Sequence, residues 1–178
     1  MLHYDTAIYS RSYLAKREDT KNNVLIYYDP FIHDVWDHFA EKSKFIWTNF
    51  IDYQLKWASN NRADIYVVDS GDKSSLMEKG VSCRFVTDLE WMAGRLSGAN
   101  AVLTPKVHQA VLAKVMGCRD VTLLPVDSRA YTVVPLGITV KPVGFDMPDM
   151  DFGIDHFSVR KTPRYAKKVS SWIKTVFP

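Results

Sequence analysis

The sequence predicts a doubly wound α/β domain, a mostly parallel sheet with helices on both faces, and three observations carry that expectation. Short runs rich in Val, Ile, Leu and Tyr recur without polar alternation, as strands buried on both faces require. Between them lie stretches of helical periodicity. Residues that start and stop helices punctuate the joints. Strands and helices in that alternation build right-handed βαβ crossovers.

The first strand is Val24-Leu-Ile-Tyr-Tyr28, ended by Asp29-Pro30, an N-cap followed by a proline at the first helical position. Ile32, Val35, Trp36 and Phe39 then take i, i+3, i+4, i+7 spacing and predict a helix over 31–42. Phe45-Ile-Trp47 reads as a short strand before a helix carrying Ile51, Leu55 and Ala58 and ending near Asn60-Asn61. One long helix through both stretches is the alternative. Ala63–Val68 is the next strand; Asp69-Ser-Gly-Asp72 turns into a short helix over Lys73–Lys79.

Val81–Val86 is a further strand, and Thr87-Asp88 caps a helix through Leu89, Met92, Ala93 and Leu96 that Ser97-Gly98 stops. Ala99–Leu103 is strand-like. Thr104-Pro105 opens a helix through Val107, Ala110, Val111 and Val115 that Gly117 closes, and Asp120–Val126 completes the series. Val133–Val140 suits an edge strand within a Pro-, Gly- and Asp-rich stretch, and Pro163–Phe177 a closing helix with Tyr165, Val169, Trp172 and Ile173 on its packed face. Residues 1–23 are polar and mixed, an N-terminal arm, and 24–178 form a single Rossmann-like domain with no internal repeat or linker.

The composition agrees with that organisation. At 178 residues and 47% hydrophobic the chain can bury the core of one domain, and eight glycines with eight prolines exclude collagen-like and low-complexity classes. A formal charge of +3 is too small to imply nucleic acid by itself. Cys83 and Cys118 match neither a CxxC motif nor a disulfide framework, and read as buried apolar residues in a reducing compartment. No signal-peptide pattern and no apolar run of about 20 residues is present, so the expected location is cytoplasmic, without a membrane partner.

Ligands of open α/β sheets bind beyond the carboxyl ends of the strands. Here those ends carry Asp29, Asp69 with Ser70-Gly71, Thr104 with Lys106, and Asp127 with Ser128-Arg129. Such a rim can hold a phosphorylated small molecule through helix N-termini and Lys106 or Arg129; it is also the polarity that ordinary turns require. There is no GxGxxG after the first strand and no GxxxxGK[ST], which argues against a classical dinucleotide site and a P-loop. Without HExxH or GxSxG the common zinc hydrolases and α/β-hydrolases are excluded too. Ser70-Gly71-Asp72-Lys73 reads as a turn.

Among the histidines, His33 and His38 fall on different faces of the first predicted helix and read as surface residues. His108 lies in the first turn after Thr104-Pro105, facing the same rim as Lys106. His156, flanked by Asp155 and Arg160, suits either a general base with an orienting carboxylate or an exposed loop residue. Asp146, Asp149 and Asp151 form either a divalent-cation loop or a solvated one. The basic Arg160–Lys174 segment, interleaved with Tyr165 and Trp172, suits a closing helix and, alternatively, a protein or nucleic-acid partner.

The stretch Ala101–Asp127, with Thr104 in the turn, Met116-Gly-Cys-Arg-Asp120 closing the helix and Asp127 ending the next strand, resembles the nucleotide-binding strand-helix-strand of bacterial sialyltransferases and 6-hydroxymethylpterin pyrophosphokinase-like proteins. A similar unit occurs in the donor half of GT-B glycosyltransferases and in pyruvyltransferases. The resemblance covers residues 100–175 loosely, and it implies a glycosyltransferase-like protein that binds a nucleotide or a nucleotide sugar. His156 then falls where the sialyltransferases place a base and joins Asp127 as the catalytic pair; Asp29, Asp69, Ser70, Thr104, Lys106, His108 and Arg129 line the ligand site. Those families open with an Asn-Gly-Pro-Ser-like phosphate turn, whereas this chain has Asp29-Pro30-Phe31. A non-catalytic α/β protein that acts through a protein or nucleic-acid partner is the alternative function.

Overall fold

The computed structural model describes residues 22–33, 46–126 and 128–144, with the side chains of Leu89, Ser128 and Arg129 left out of the description. Strands β1 (Val24–Ile26), β2 (Asp64–Val67), β3 (Arg84–Phe85), β4 (Ala101–Thr104), β5 (Asp120–Leu123) and β6 (Thr139–Val140) form one sheet in the order β3-β2-β1-β4-β5-β6. Every pairing is parallel. This is the Rossmann-like order, and it reverses between β1 and β4.

The helices are α1 (Trp47–Asn61), α2 (Ser70–Glu78), α3 (Leu89–Gly98) and α4 (Val107–Val115), with a 3₁₀ segment over Ser128–Leu136. Successive side chains of a strand point to opposite faces, and the core divides accordingly. Val24, Ile26, Val102 and Val121 pack with Met92, Leu96 and Val111 of α3 and α4. Leu25, Tyr27, Val67 and Leu103 pack with Phe50, Ile51 and Leu76 of α1 and α2. Both faces of the central strands are therefore dry, which is why their sequences are continuously apolar.

Local signals set the element ends. Asp69 caps α2 by accepting from the Gly71 N–H, and Asp88 caps α3 by accepting from Glu90 and Trp91. Arg62, in the left-handed region at φ 49°, closes α1 through N–H bonds to the Ala58 and Ser59 carbonyls. Asn22 and Asn23, expected to belong to the arm, already bind the sheet, with Asn22 donating to Asp64 and the Asn23 carbonyl accepting from the Asp64 N–H.

Several expected boundaries are corrected. Residues 30–33 form a turn where the first helix was expected to begin, because Asp29 Oδ1 accepts from the Phe31 N–H at 3.1 Å and bends the chain. Trp47 opens α1 instead of ending a strand. α2 begins at Ser70, three residues early, because Asp69 is its cap. Only Arg84–Phe85 of Val81–Val86 pairs with the sheet, and only Thr139–Val140 of Val133–Val140, since Pro135 and its neighbours coil into the 3₁₀ segment. The arm through residue 21, most of the helix expected over 31–42, and the closing helix over Pro163–Phe177 lie outside the described residues.

Candidate functional site

The strand order reverses between β1 and β4, and in open α/β sheets the carboxyl ends of the strands at such a reversal form the crevice that takes ligands. Past Ile26 the two chains separate, and Tyr28 loses its sheet neighbours. Gln54 of α1, wholly buried, replaces them: its Oε1 accepts from the Tyr28 N–H at 3.2 Å and its Nε2 donates to the Tyr28 carbonyl at 2.9 Å. A buried amide can do this because it carries both a donor and an acceptor.

Asp29 follows and is also buried. Its Oδ1 accepts from the Phe31 N–H and, at 2.7 Å, from the Trp47 indole; its Oδ2 accepts from the Ser75 hydroxyl at 3.0 Å. Its carboxylate thereby joins β1, α1 and α2. Thr104 is likewise buried, and its Oγ1 accepts from the Lys106 N–H at 3.1 Å, turning the chain from β4 into α4.

Asp72 stands at the centre of a cluster formed with Asp29, His33 and Lys106. It lies in the first turn of α2, where the helix dipole favours an acid, yet its side chain is fully buried. Oδ1 accepts from the Asp29 N–H at 2.8 Å and sits 3.0 Å from His33 Nε2. Oδ2 has no hydrogen-bond partner among the described residues, and Lys106 Nζ lies 4.0 Å from it. Burial pushes the Asp72 carboxyl above the ordinary carboxylate range, against the lowering effect of the Asp29 N–H, Lys106 and His33. Burial likewise pulls the Lys106 ammonium down, against Asp72 and Asp69.

Aromatic contacts complete the cluster. Lys106 Nζ sits 4.1 Å from the centroid of the Tyr28 ring, a cation–π contact, and His33 stacks on the same residue with centroids 4.7 Å apart and planes 8° from parallel. Asp69 Oδ1, which holds the α2 cap, lies 3.9 Å from His33 Nε2. Phe31 and Ile32 stand exposed beside it, Phe31 with its ring against Trp47.

Of the residues expected at the site, Asp29, Asp69 and Lys106 come together here. Ser70 and His108 are exposed in the first turns of α2 and α4. Asp127 and His156 lie outside the described residues, as does the Arg129 side chain. His33 corrects an expectation: it is a crevice residue, with only 19% of its side chain exposed. Asp72, a turn residue by its sequence, is instead buried in the first turn of α2.

No family model, curated protein or solved structure matches the chain. The chemistry of the crevice therefore rests on its own geometry. A separate cavity of about 520 Å³ opens on the flank of the sheet, beside Tyr66, Arg84 and Arg95, away from the β1–β4 reversal. Among the described residues no group of three or more His, Cys, Asp or Glu side chains is arranged to hold a metal ion, and no helix is long and apolar enough to cross a membrane.

Proposed function

We propose that the chain is a nucleotide-binding protein of glycosyltransferase-like type, holding a nucleotide sugar by its diphosphate in the crevice between β1 and β4. The observation that carries this reading is Lys106, held over Tyr28 at the entrance to α4 beside the point where the strand order reverses.

Two helix N-termini border the crevice, and their electrostatics differ. At α2, Asp69 caps the first turn and Asp72 lies within it, so that end is already filled by carboxylates. At α4 no side chain caps the backbone and no acid stands in the first turn. An anion is therefore favoured on the α4 side, where the helix dipole and the Lys106 ammonium act together. A diphosphate supplies that anion. Asp69, at the end of β2, occupies the place from which an acidic residue accepts from a ribose hydroxyl in sheets of this order. The resemblance of Ala101–Asp127 to nucleotide-binding units of glycosyltransferases supports the same side of the crevice.

The test is a thermal-shift screen of the protein against nucleoside diphosphates and nucleotide sugars, with and without Mg²⁺, repeated with Lys106→Met. Ligand at one hundred times its dissociation constant stabilises by about 2.7 kcal/mol, a shift of several degrees. The expected result is such a shift for one nucleotide class, largely lost in Lys106→Met, which keeps the stem over Tyr28 and removes the charge. A flat screen, or a shift of equal size in the variant, overturns the reading and favours a partner-binding role.

A further inference from the structure

Asp72 holds two functional groups at once, His33 through Oδ1 and Lys106 beside Oδ2. An ionised carboxylate only accepts hydrogen bonds, so the His33 nitrogen facing it, Nε2, carries the hydrogen. In the neutral ring the lone pair then belongs to Nδ1, which makes no hydrogen bond among the described residues. The ring is fixed in its plane by the Tyr28 stack and in its rotation by Asp72, and it keeps partial exposure at the rim. An imidazole oriented by a buried carboxylate, with its second nitrogen open, is the arrangement that proton abstraction requires.

We propose that His33 is the general base of the crevice, taking a proton from a hydroxyl nucleophile, with Asp72 as its positioning residue. The proposal rests on the nucleotide-sugar reading above. In the step, the oxygen of an acceptor alcohol or of water attacks the anomeric carbon of the bound nucleotide sugar. The bond from that carbon to the diphosphate oxygen breaks, and its electron pair stays on the diphosphate, beside the Lys106 ammonium. The nucleophile's proton passes to His33 Nδ1 and from there to solvent. One buried carboxylate thereby fixes both the group that receives the proton and the cation that faces the leaving anion.

Its cost supports this assignment. Burying a carboxylate with one oxygen that has no hydrogen-bond partner among the described residues is unfavourable, and a buried ion pair often adds no more stability than apolar residues of the same size.

Three measurements on the whole chain test the proposal. Ring-nitrogen NMR is expected to show neutral His33 as the Nε2–H tautomer; an Nδ1–H tautomer overturns it. Release of nucleoside diphosphate from UDP-, GDP- and ADP-sugars, with water or a small alcohol as acceptor, is expected to fall at least about 100-fold in His33→Gln while the nucleotide thermal shift is kept. Asp72→Asn is expected to lower turnover less and to displace the pH profile, because among the described residues Asp72 and Asp69 are the charged groups facing the ring, with Lys106 beside Asp72. Binding that persists with unchanged turnover in His33→Gln overturns the base role alone. A flat nucleotide screen removes the substrate, and the base role falls with the nucleotide-sugar reading.

Discussion

Gln54 grips Tyr28 by both of its backbone groups, accepting from the N–H at 3.2 Å and donating to the carbonyl at 2.9 Å. A side chain of α1 thus stands in for the strand that is missing where the sheet opens. Without it the Tyr28 amide and carbonyl would each lose the Gln54 hydrogen bond in a dry interior.

Replacing Gln54 with Leu is therefore expected to destabilise the fold, although the apolar side chain fits its surroundings. Removing a hydrogen bond from a buried backbone group costs about 1–3 kcal/mol. Urea unfolding should show a lower midpoint at unchanged slope. A loss below about 0.5 kcal/mol would mean that water reaches Tyr28.

Asp88→Ala tests a simpler device. Its carboxylate accepts from two N–H groups at the start of α3, at 2.8 and 3.1 Å, and removing such a cap costs about 1 kcal/mol. The same unfolding measurement reads it, and Asp88→Asn, which retains an acceptor, should recover most of the loss.

Asp72 predicts a pH dependence whose sign follows from its raised pKa. Between its unfolded and its folded pKa the native state binds more protons than the unfolded chain, so stability falls as pH rises from the ordinary carboxylate range upward. The penalty is absent below the unfolded pKa and complete above the folded one. The difference in stability between the native sequence and Asp72→Asn, followed by unfolding across the acid range, should turn against the native sequence as pH rises. A constant difference would show that Asp72 titrates alike in both states.

The two thiols should react unequally. Burial raises the pKa of both Cys83 and Cys118, which lowers their thiolate fraction, but Cys83 is partly exposed and Cys118 is buried. A disulfide reagent at neutral pH is expected to label Cys83 slowly and Cys118 only on unfolding, as mass spectrometry of the labelled peptides would show. Equal rates would contradict the placement of Cys118.

The fold was legible because its strongest signals are local. Val24–Ile26 and Ala101–Leu103 announce themselves by being apolar on both faces, and Asp69 and Asp88 by standing before helices. The outer strands were read too long, because exposed Arg84 and Phe85 pair only where Tyr66 and Val67 offer backbone groups, a long-range condition. The crevice was legible in half. Asp29, Asp69 and Lys106 follow from the rule that ligands meet the carboxyl ends of strands. Asp72 and His33 do not: an acid in a short polar helix looks solvated, and its burial arises only when Asp29, His33 and Lys106 close around it. The helical spacing puts His33 on a helix face, whereas residues 30–33 form a turn held by Asp29.

The sheet's two outermost strands are two residues long, whereas β1 and β4 are flanked by partners and covered on both faces. Local opening is easiest where few buried contacts must break. Amide exchange should therefore slow from β3 and β6 inward and be slowest at Leu25 and Leu103, which pair at the centre of the sheet three residues before Tyr28 and Lys106. A ligand gripped there would meet walls already set by the last part of the molecule to open, and would spend little of its affinity on ordering them.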